Sequence, residues 1–234
     1  ACGGDGTINE VGSLLVDTST KLGIIRFGSG NSLANSLNIP KQVFYALKVI
    51  KAEQTKKIDV GLINQRCFFS NVSLGVTAKI IHHYSMNQNR GFSAYMQAIA
   101  KVIFKKATPR TIKIKIDKKE TELKPYLFFI SNSGQIGYNL SLTPGTPLDD
   151  GHLQLLYTDR MSFTEKLLFI YSIITKSVLK SEKVHKIKFQ SLELYSIPKD
   201  SFLIQIDGES VLTKKKTLLI SIKKNALQVL VPKP

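Results

Sequence analysis

Two short glycine loops constrain this chain more than any other feature. Gly3-Gly4-Asp5-Gly6-Thr7 opens into a helical pattern, Thr7 to Val16, for which Thr7 is the expected N-cap. Gly28-Ser29-Gly30-Asn31 follows the apolar run Leu22–Phe27, which suits a buried parallel strand, and leads into a second helical stretch, Ser32 to Leu37. Ile39-Pro40 breaks that stretch, and Gln42 to Lys51 resumes it with Val43, Ala46, Leu47 and Ile50 on one face. Strand, glycine loop and helix in succession are the grammar of an open α/β sheet, whose ligands sit beyond the ends of the strands. Glycine lets backbone approach a ligand closely, and the N–H groups at a helix start favour phosphate. Asp5 stands where it would repel a bare phosphate, which points to a magnesium nucleotide or to acid–base work. A glycine-rich turn with a capping aspartate is the plainer alternative. Neither loop is followed by the Lys-Ser/Thr of a P-loop, and neither completes the dinucleotide fingerprint.

After about residue 57 the pattern changes. Lys57–Ile63 and Arg66–Val72 read as strands joined by an Asn64-Gln65 turn, followed by helical patterns at Thr77–His83 and Phe92–Lys105. Thr111–Asp117 alternates strictly, and further strands are expected at Tyr126–Ser131, Leu153–Tyr157, Lys186–Ser196, Phe202–Ile206 and Thr217–Lys223. Ser162–Lys180 is the one long helical pattern among them, and core packing is expected for it rather than membrane insertion. The expected fold is an α/β nucleotide-binding domain with an incomplete open sheet, followed by a mostly antiparallel β-sandwich with packed helices. The first domain is expected over residues 1–57, with a return near residues 220–234, and the sandwich over 58–219.

The 234 residues carry 33 Lys/Arg against 17 Asp/Glu, a net charge of +16. Residues 101–234 hold twenty-three of the cations and twelve of the acids. Such a balance suits an anionic partner, whether nucleic acid, nucleotide or membrane surface. With only five arginines, a lysine-rich compositional bias explains the same number. No recognition helix or base-stacking aromatic motif accompanies the charge, so nucleic acid is not an expected partner. The longest uncharged apolar run, Leu167–Thr175, is far short of the roughly 20 residues that span a bilayer. Cys2 and Cys67 show neither metal spacing nor a disulfide framework, which fits a reducing cytosol.

GGDGTINEV (Gly3–Val11) and LGIIRFGSGNSLANSLNIP (Leu22–Pro40) together resemble the catalytic domain of the diacylglycerol kinase and sphingosine kinase superfamily, and its bacterial lipid kinases in particular. The resemblance continues in order through IDVGLI (Ile58–Ile63), FFSNVSLG (Phe68–Gly75), NRGFSAY (Asn89–Tyr95), LDDGHLQL (Leu148–Leu155) and IDGE (Ile206–Glu209). GGDGT alone is shared with NAD kinases and phosphofructokinase relatives; the added NE, GSGN, DDGHL and DGE make the likeness specific.

The resemblance implies transfer of the γ-phosphate of Mg-ATP to the hydroxyl of diacylglycerol or a related lipid, with ATP and Mg²⁺ as cofactors. It assigns the nucleotide phosphates to Gly3, Gly4, Asp5, Gly6, Thr7, Ile8 and Asn9, with Ser29 and Arg90 as further nucleotide contacts. Glu209 becomes the proton acceptor for the lipid hydroxyl, and Asp5 the second acid, as magnesium partner or competing base. Asp150 resembles the side-chain ligand of a structural Mg²⁺ completed by the backbone of Pro147 and His152. Without the family, Asp207-Gly208-Glu209 reads as a hairpin turn and Asp149-Asp150 as an exposed acidic turn.

Some residues depart from the family pattern. Thr77 stands where many relatives carry an acid that reads a sphingoid head group, Arg26 where proline is usual, and Ser32 where aspartate is common. The family's first strand and its Asn-Pro…Gly loop would precede Ala1, so the sequence is expected to be a fragment with little kinase activity by itself. The expected partners are a lipid substrate, an anionic membrane surface met from the cytoplasmic side, and a second copy of the chain as a homodimer. Lys101, Lys105, Lys106, Arg110, Lys176, Lys180, Lys183 and Lys214–Lys216 are the expected basic contacts. A non-catalytic lipid- or nucleotide-binding homologue and an NAD kinase-like enzyme are the alternatives.

Overall fold

The computed structural model of the chain describes residues 1–87, 91–104, 111–138, 140–175, 177, 182–195 and 202–233. β1 (Cys2–Gly3) passes through Gly4 directly into α1 (Asp5–Leu15). Gly4 is the extended N-cap, and its carbonyl accepts the Ile8 N–H at 3.0 Å. The helix therefore starts two residues before the expected Thr7 cap, because glycine turns the chain at once, and Asp5 falls in its first turn. The run Leu22–Phe27 is divided: β2 (Lys21–Leu22) joins a different sheet from β3 (Ile25–Arg26), which pairs parallel with β1. α2 (Ser32–Ser36) follows the second glycine loop, and α3 (Val43–Ala52) follows Pro40. α3 packs through Ala46 and Val49, not through the expected Val43 and Leu47, which are 40% and 49% exposed.

The remaining elements are β4 (Thr55–Ile63), β5 (Arg66–Phe68), β6 (Asn71–Gly75), α4 (Val76–Ser85), α5 (Phe92–Ile103), β7 (Ile112–Ile116), β8 (Lys119–Leu123), β9 (Leu127–Ser131), β10 (Gln135–Gly137), β11 (Leu140–Ser141), β12 (Leu153–Thr158), α6 (Phe163–Ile174), β13 (Val184–Phe189), β14 (Ser191–Tyr195), β15 (Phe202–Ile206), β16 (Glu209–Thr213) and β17 (Leu218–Leu230). One sheet has the order β5-β4-β17-β14-β7-β8, antiparallel, with β2 added parallel to β17. The other has the order β13-β12-β9-β6-β15-β16 and is antiparallel throughout.

Two runs that read as single strands turn corners between these sheets. Arg66–Val72 divides into β5 of one and β6 of the other, and Lys186–Ser196 divides at Gln190 into β13 and β14. At the first corner the N–H groups of Phe69 and Ser70 donate to the side chain of Asp207 instead of to a neighbouring strand. Strand β9 is buried along its whole length. Phe128 and Ile130 enter the sandwich core with Phe68 and Leu155, while Leu127 and Phe129 meet Ile80, Ala98 and Phe169 of the helices on the other face. A strand covered on both faces is apolar at successive positions, which is why LFFI carries no alternation. β4 and β17 serve two cores: Ile58 and Leu227 pack with Ile8, Leu22 and Leu33, whereas Ile63 and Ile220 lie in the sandwich. α6 begins with a capping box between Ser162 and Glu165. Its inner side takes the core packing expected of it, with Phe169 and Ser172 buried and Ile170 and Ile173 against the same cluster, while Phe163, Leu168 and Tyr171 stay exposed.

Candidate functional site

The two glycine loops meet backbone to backbone. The Phe27 N–H donates to the Gly3 carbonyl at 2.9 Å, and a Cβ on Gly28 would come within 2.5 Å of the Gly4 Cα. Only glycine allows that approach. Asn31, at φ +50°, holds the second loop by accepting the Gly28 N–H at 3.1 Å and donating to the Gly28 carbonyl. Asn35 donates to the Gly30 carbonyl at 3.0 Å and accepts the Arg26 guanidinium. The loops are joined chemically by Asp5, whose Oδ1 accepts the Ser32 N–H at 2.6 Å. Burial pushes the Asp5 carboxyl up to about 6, the charge of Asp207 adds to the rise, and the Ser32 and Asn31 N–H groups oppose it. A carboxyl in that range exchanges its proton near neutral pH.

Glu209 opens β16 and reaches the first turn of α1. Its Oε2 meets the Arg66 Nη2 at 2.6 Å, and its Oε1 lies 3.5 Å from where a Cβ on Gly6 would stand. Two positions earlier, Asp207 is buried at φ +46° and saturated with donors. It accepts the N–H groups of Phe69, Ser70 and Asn71 at 2.7, 2.8 and 2.9 Å and the Asn9 amide at 2.8 Å. Asp207 thus fixes the turn that presents Glu209, a role hidden in the sequence because an aspartate before glycine is also what an ordinary hairpin turn carries.

Asp5, Gly6, Ser29, Gly30 and Glu209 form the polar end of a cleft of about 230 Å³. The rest of the lining is mainly apolar and includes Ile80, Met96, Ile99, Phe129 and Phe169 from α4, α5, β9 and α6, with Leu142 from just after β11. Tyrosines lie between the two regions: the Tyr84 and Tyr138 hydroxyls are 2.6 Å apart, Tyr95 donates to the Ile136 carbonyl at 3.3 Å, and Ser29 hydrogen-bonds Tyr138. Burial pushes the Tyr95 phenol above its ordinary value, so it stays a neutral donor.

The other expected nucleotide contacts are distributed as follows. Gly3 and Gly4 form the strand end and helix cap, and Thr7 is exposed on α1 against Gly3. The Ile8 side chain belongs to the core, and Asn9 donates to Asp207 and to the Cys67 carbonyl. Arg90 lies outside the described residues, as do Lys105, Lys106, Arg110, Lys176 and Lys180. Lys101 and Lys214–Lys216 are exposed, and Lys183 pairs with Glu165 at 2.7 Å. Asp150 is far from an open ligand: Oδ2 meets the Lys188 ammonium at 2.8 Å and Oδ1 accepts the His152 N–H at 3.1 Å. Pro147 is exposed beside it. Lys188 supplies a positive charge at Oδ2, and no group of three or more His, Cys, Asp or Glu side chains among the described residues is arranged to hold a metal.

Comparisons with known proteins agree with this architecture. Two solved structures from Bacillus anthracis str. Sterne superpose over 99% of this chain and 75% of theirs, at TM-scores of 0.79 and 0.73 with 23% and 21% identity; the second is described as a diacylglycerol kinase. These show the fold. Among curated proteins, a diacylglycerol kinase of Staphylococcus haemolyticus (strain JCSC1435) is 27% identical over 216 residues, which is 89% of this chain and 64% of that protein. A diacylglycerol kinase of Staphylococcus aureus (strain JH9) is 28% identical over 171 residues, 70% of this chain and 53% of that protein. The chain therefore spans less than two thirds of the length of these relatives. The diacylglycerol kinase catalytic domain model matches residues 1–63, and the YegS C-terminal NAD kinase beta sandwich-like domain model matches residues 70–231, well over half of the chain. On these matches, with a fold they share, the chain belongs to the diacylglycerol kinase-like superfamily of kinases.

Proposed function

We propose that this chain is the core of an ATP-dependent lipid kinase, acting on the free hydroxyl of diacylglycerol or a closely related neutral lipid. One observation carries the reading: a single cleft joins the carboxylates of Asp5 and Glu209 to an apolar interior that suits acyl chains. NAD, polar along its whole length, suits that interior poorly. The cleft is also lined by Thr77, whose hydroxyl donates to the Leu74 carbonyl at 3.2 Å, and a threonine instead of an acid at this position favours a neutral lipid over an amine.

In this reading the converging glycine loops receive the phosphates of Mg-ATP against backbone, and Asp5 faces its magnesium. The lipid hydroxyl lies against Glu209, whose Oε1 takes the proton as the oxygen bonds to the γ-phosphorus and ADP leaves. Arg66 orients Glu209 through their ion pair, and Asp207 holds the turn beneath it. Transfer of radiolabel from γ-labelled ATP into extracted lipid tests the proposal. Labelled phosphatidic acid from diacylglycerol, made by the protein that carries this chain and abolished by Asp5→Ala and by Glu209→Ala, is the expected result. Binding of lipid and nucleotide without transfer would favour the non-catalytic alternative, and label in NADP the NAD kinase one.

A further inference from the structure

We infer that the outer face of α6 is the surface on which this chain seats against an anionic lipid bilayer, so that lipid reaches the cleft past this helix; the inference rests on the lipid reading above. α6 carries apolar side chains on its inner and its outer side. Its inner side carries Phe169, Ile170 and Ile173, which line the cleft. On its outer side Phe163, Leu167, Leu168, Tyr171 and Ile174 are 63%, 45%, 60%, 64% and 50% exposed. Their spacing draws them into one stripe along the helix. Phe104, 41% exposed at the end of α5, packs its ring 5.1 Å from that of Phe163 and widens the patch. An open apolar patch of this kind on a folded protein marks a contact surface.

The occupant follows from two further features. Ile174 both lines the cleft and is half exposed, so the patch is continuous with the wall of a cavity already suited to acyl chains. The surroundings are cationic: Lys101 and Arg160 are exposed, and Lys166 lies across the Tyr126 ring and donates to the Ile103 carbonyl. In sequence, Lys105, Lys106 and Arg110 follow α5 directly, and Lys176 and Lys180 follow α6. The one acid within α6, Glu165, is neutralised by Lys183 at 2.7 Å. An apolar stripe bordered by cations complements acyl chains below anionic head groups, with the helix lying in the interface. Crossing the bilayer is not at issue, since no described helix is long and apolar enough.

The chain contains no tryptophan, so Leu168→Trp creates a single fluorophore in the patch. With phosphatidylglycerol vesicles and no ATP, its emission is expected to shift to the blue, while Leu219→Trp on β17 is expected not to shift. In flotation with the same vesicles, the Leu168→Glu/Tyr171→Glu double variant should bind about tenfold more weakly than the parent chain, at an unchanged melting temperature and molecular mass. Vesicle binding indifferent to the double variant would overturn the inference. So would a change in mass, which would make this face a contact between copies of the chain. Phosphate transfer is read separately on dispersed short-chain diacylglycerol. Its absence, with α6-dependent vesicle binding intact, removes the kinase reading and leaves the docking surface; its presence, with α6-independent binding, removes the docking surface alone.

Discussion

The carboxylate of Asp207 accepts the side-chain amide of Asn9 at 2.8 Å, tying the turn before Glu209 to the helix that begins at Asp5. The same carboxylate accepts three successive backbone N–H groups at the corner between β5 and β6. One buried side chain thus sets the corner between two sheets and the relation between two acids of the cleft.

Asp207→Asn should therefore be costly in stability. Asparagine tolerates the left-handed φ of this turn, so the backbone is not what suffers. An amide in place of the carboxylate turns an NH₂ group toward buried donors and leaves N–H groups unpaired. A loss of about 3 kcal/mol or more is expected, read from urea unfolding, with transfer activity falling as Glu209 loses its support.

How much of this was legible in the sequence depends on the range of the interactions. The glycine loops, their helices and the β-rich remainder follow from local spacing, and GGDGT with GSGN supply Asp5, Gly6, Ser29 and Gly30 to the lining of the cleft. Asp207 was not legible as a clamp, because its acceptors serve Asn9 and the Phe69–Asn71 backbone, more than a hundred residues away. The corners at Phe69 and Gln190 were hidden for the same reason. β8, with the sequence KETEL, is an exposed edge strand with no apolar alternation to reveal it. The outward face of α6 looked like core, since periodicity cannot distinguish a buried partner from a missing one.

Asp5→Asn should stabilise the fold while abolishing transfer. The native carboxyl sits at about 6, above its range in an unfolded chain, so the folded state holds the proton more tightly. Folding is therefore favoured below about pH 4, and that advantage is lost as pH rises through 6. An amide keeps an acceptor for the Ser32 N–H without the buried charge. At pH 7.5 the variant should be up to about 3 kcal/mol more stable, and near pH 3.5 the difference should shrink toward zero, as thermal melts at both values will show.

Gly28→Ala tests the contact between the loops. The added methyl would press on the Gly4 Cα, which is backbone and cannot swing aside. A loss of about 1–3 kcal/mol is expected, with KM for ATP rising more than KM for lipid because the phosphate end is displaced. Equal effects on both constants would speak against this loop as the nucleotide side.

Glu209→Gln separates chemistry from folding. The side chain is 54% exposed and its pair with Arg66 lies at the surface, so stability should change by less than about 1 kcal/mol. Transfer should fall by about 10²- to 10⁴-fold if its carboxylate accepts the hydroxyl proton. Arg66→Ala should cost less, since it orients the acid without receiving the proton. A Gln variant that retains most activity would move the base role to Asp5, and its pH profile would then turn near 6.

The apolar interior of the cleft should set which lipids are accepted. Ile99 on α5 and Phe129 on β9 both line it, on the wall away from the glycine loops. Ile99→Trp adds bulk there without touching Asp5, Ser29 or Glu209, and Ile99 is only half-buried, so the fold has room to accommodate the ring. The ring would fill space that acyl chains need, while the polar end keeps its geometry. Turnover of long-chain diacylglycerol should drop about tenfold or more, turnover of a short-chain analogue should change little, and KM for ATP should stay constant. A uniform loss across chain lengths would mean that the interior does not hold the acyl chains, and the lipid would have to lie along the surface of the cleft instead.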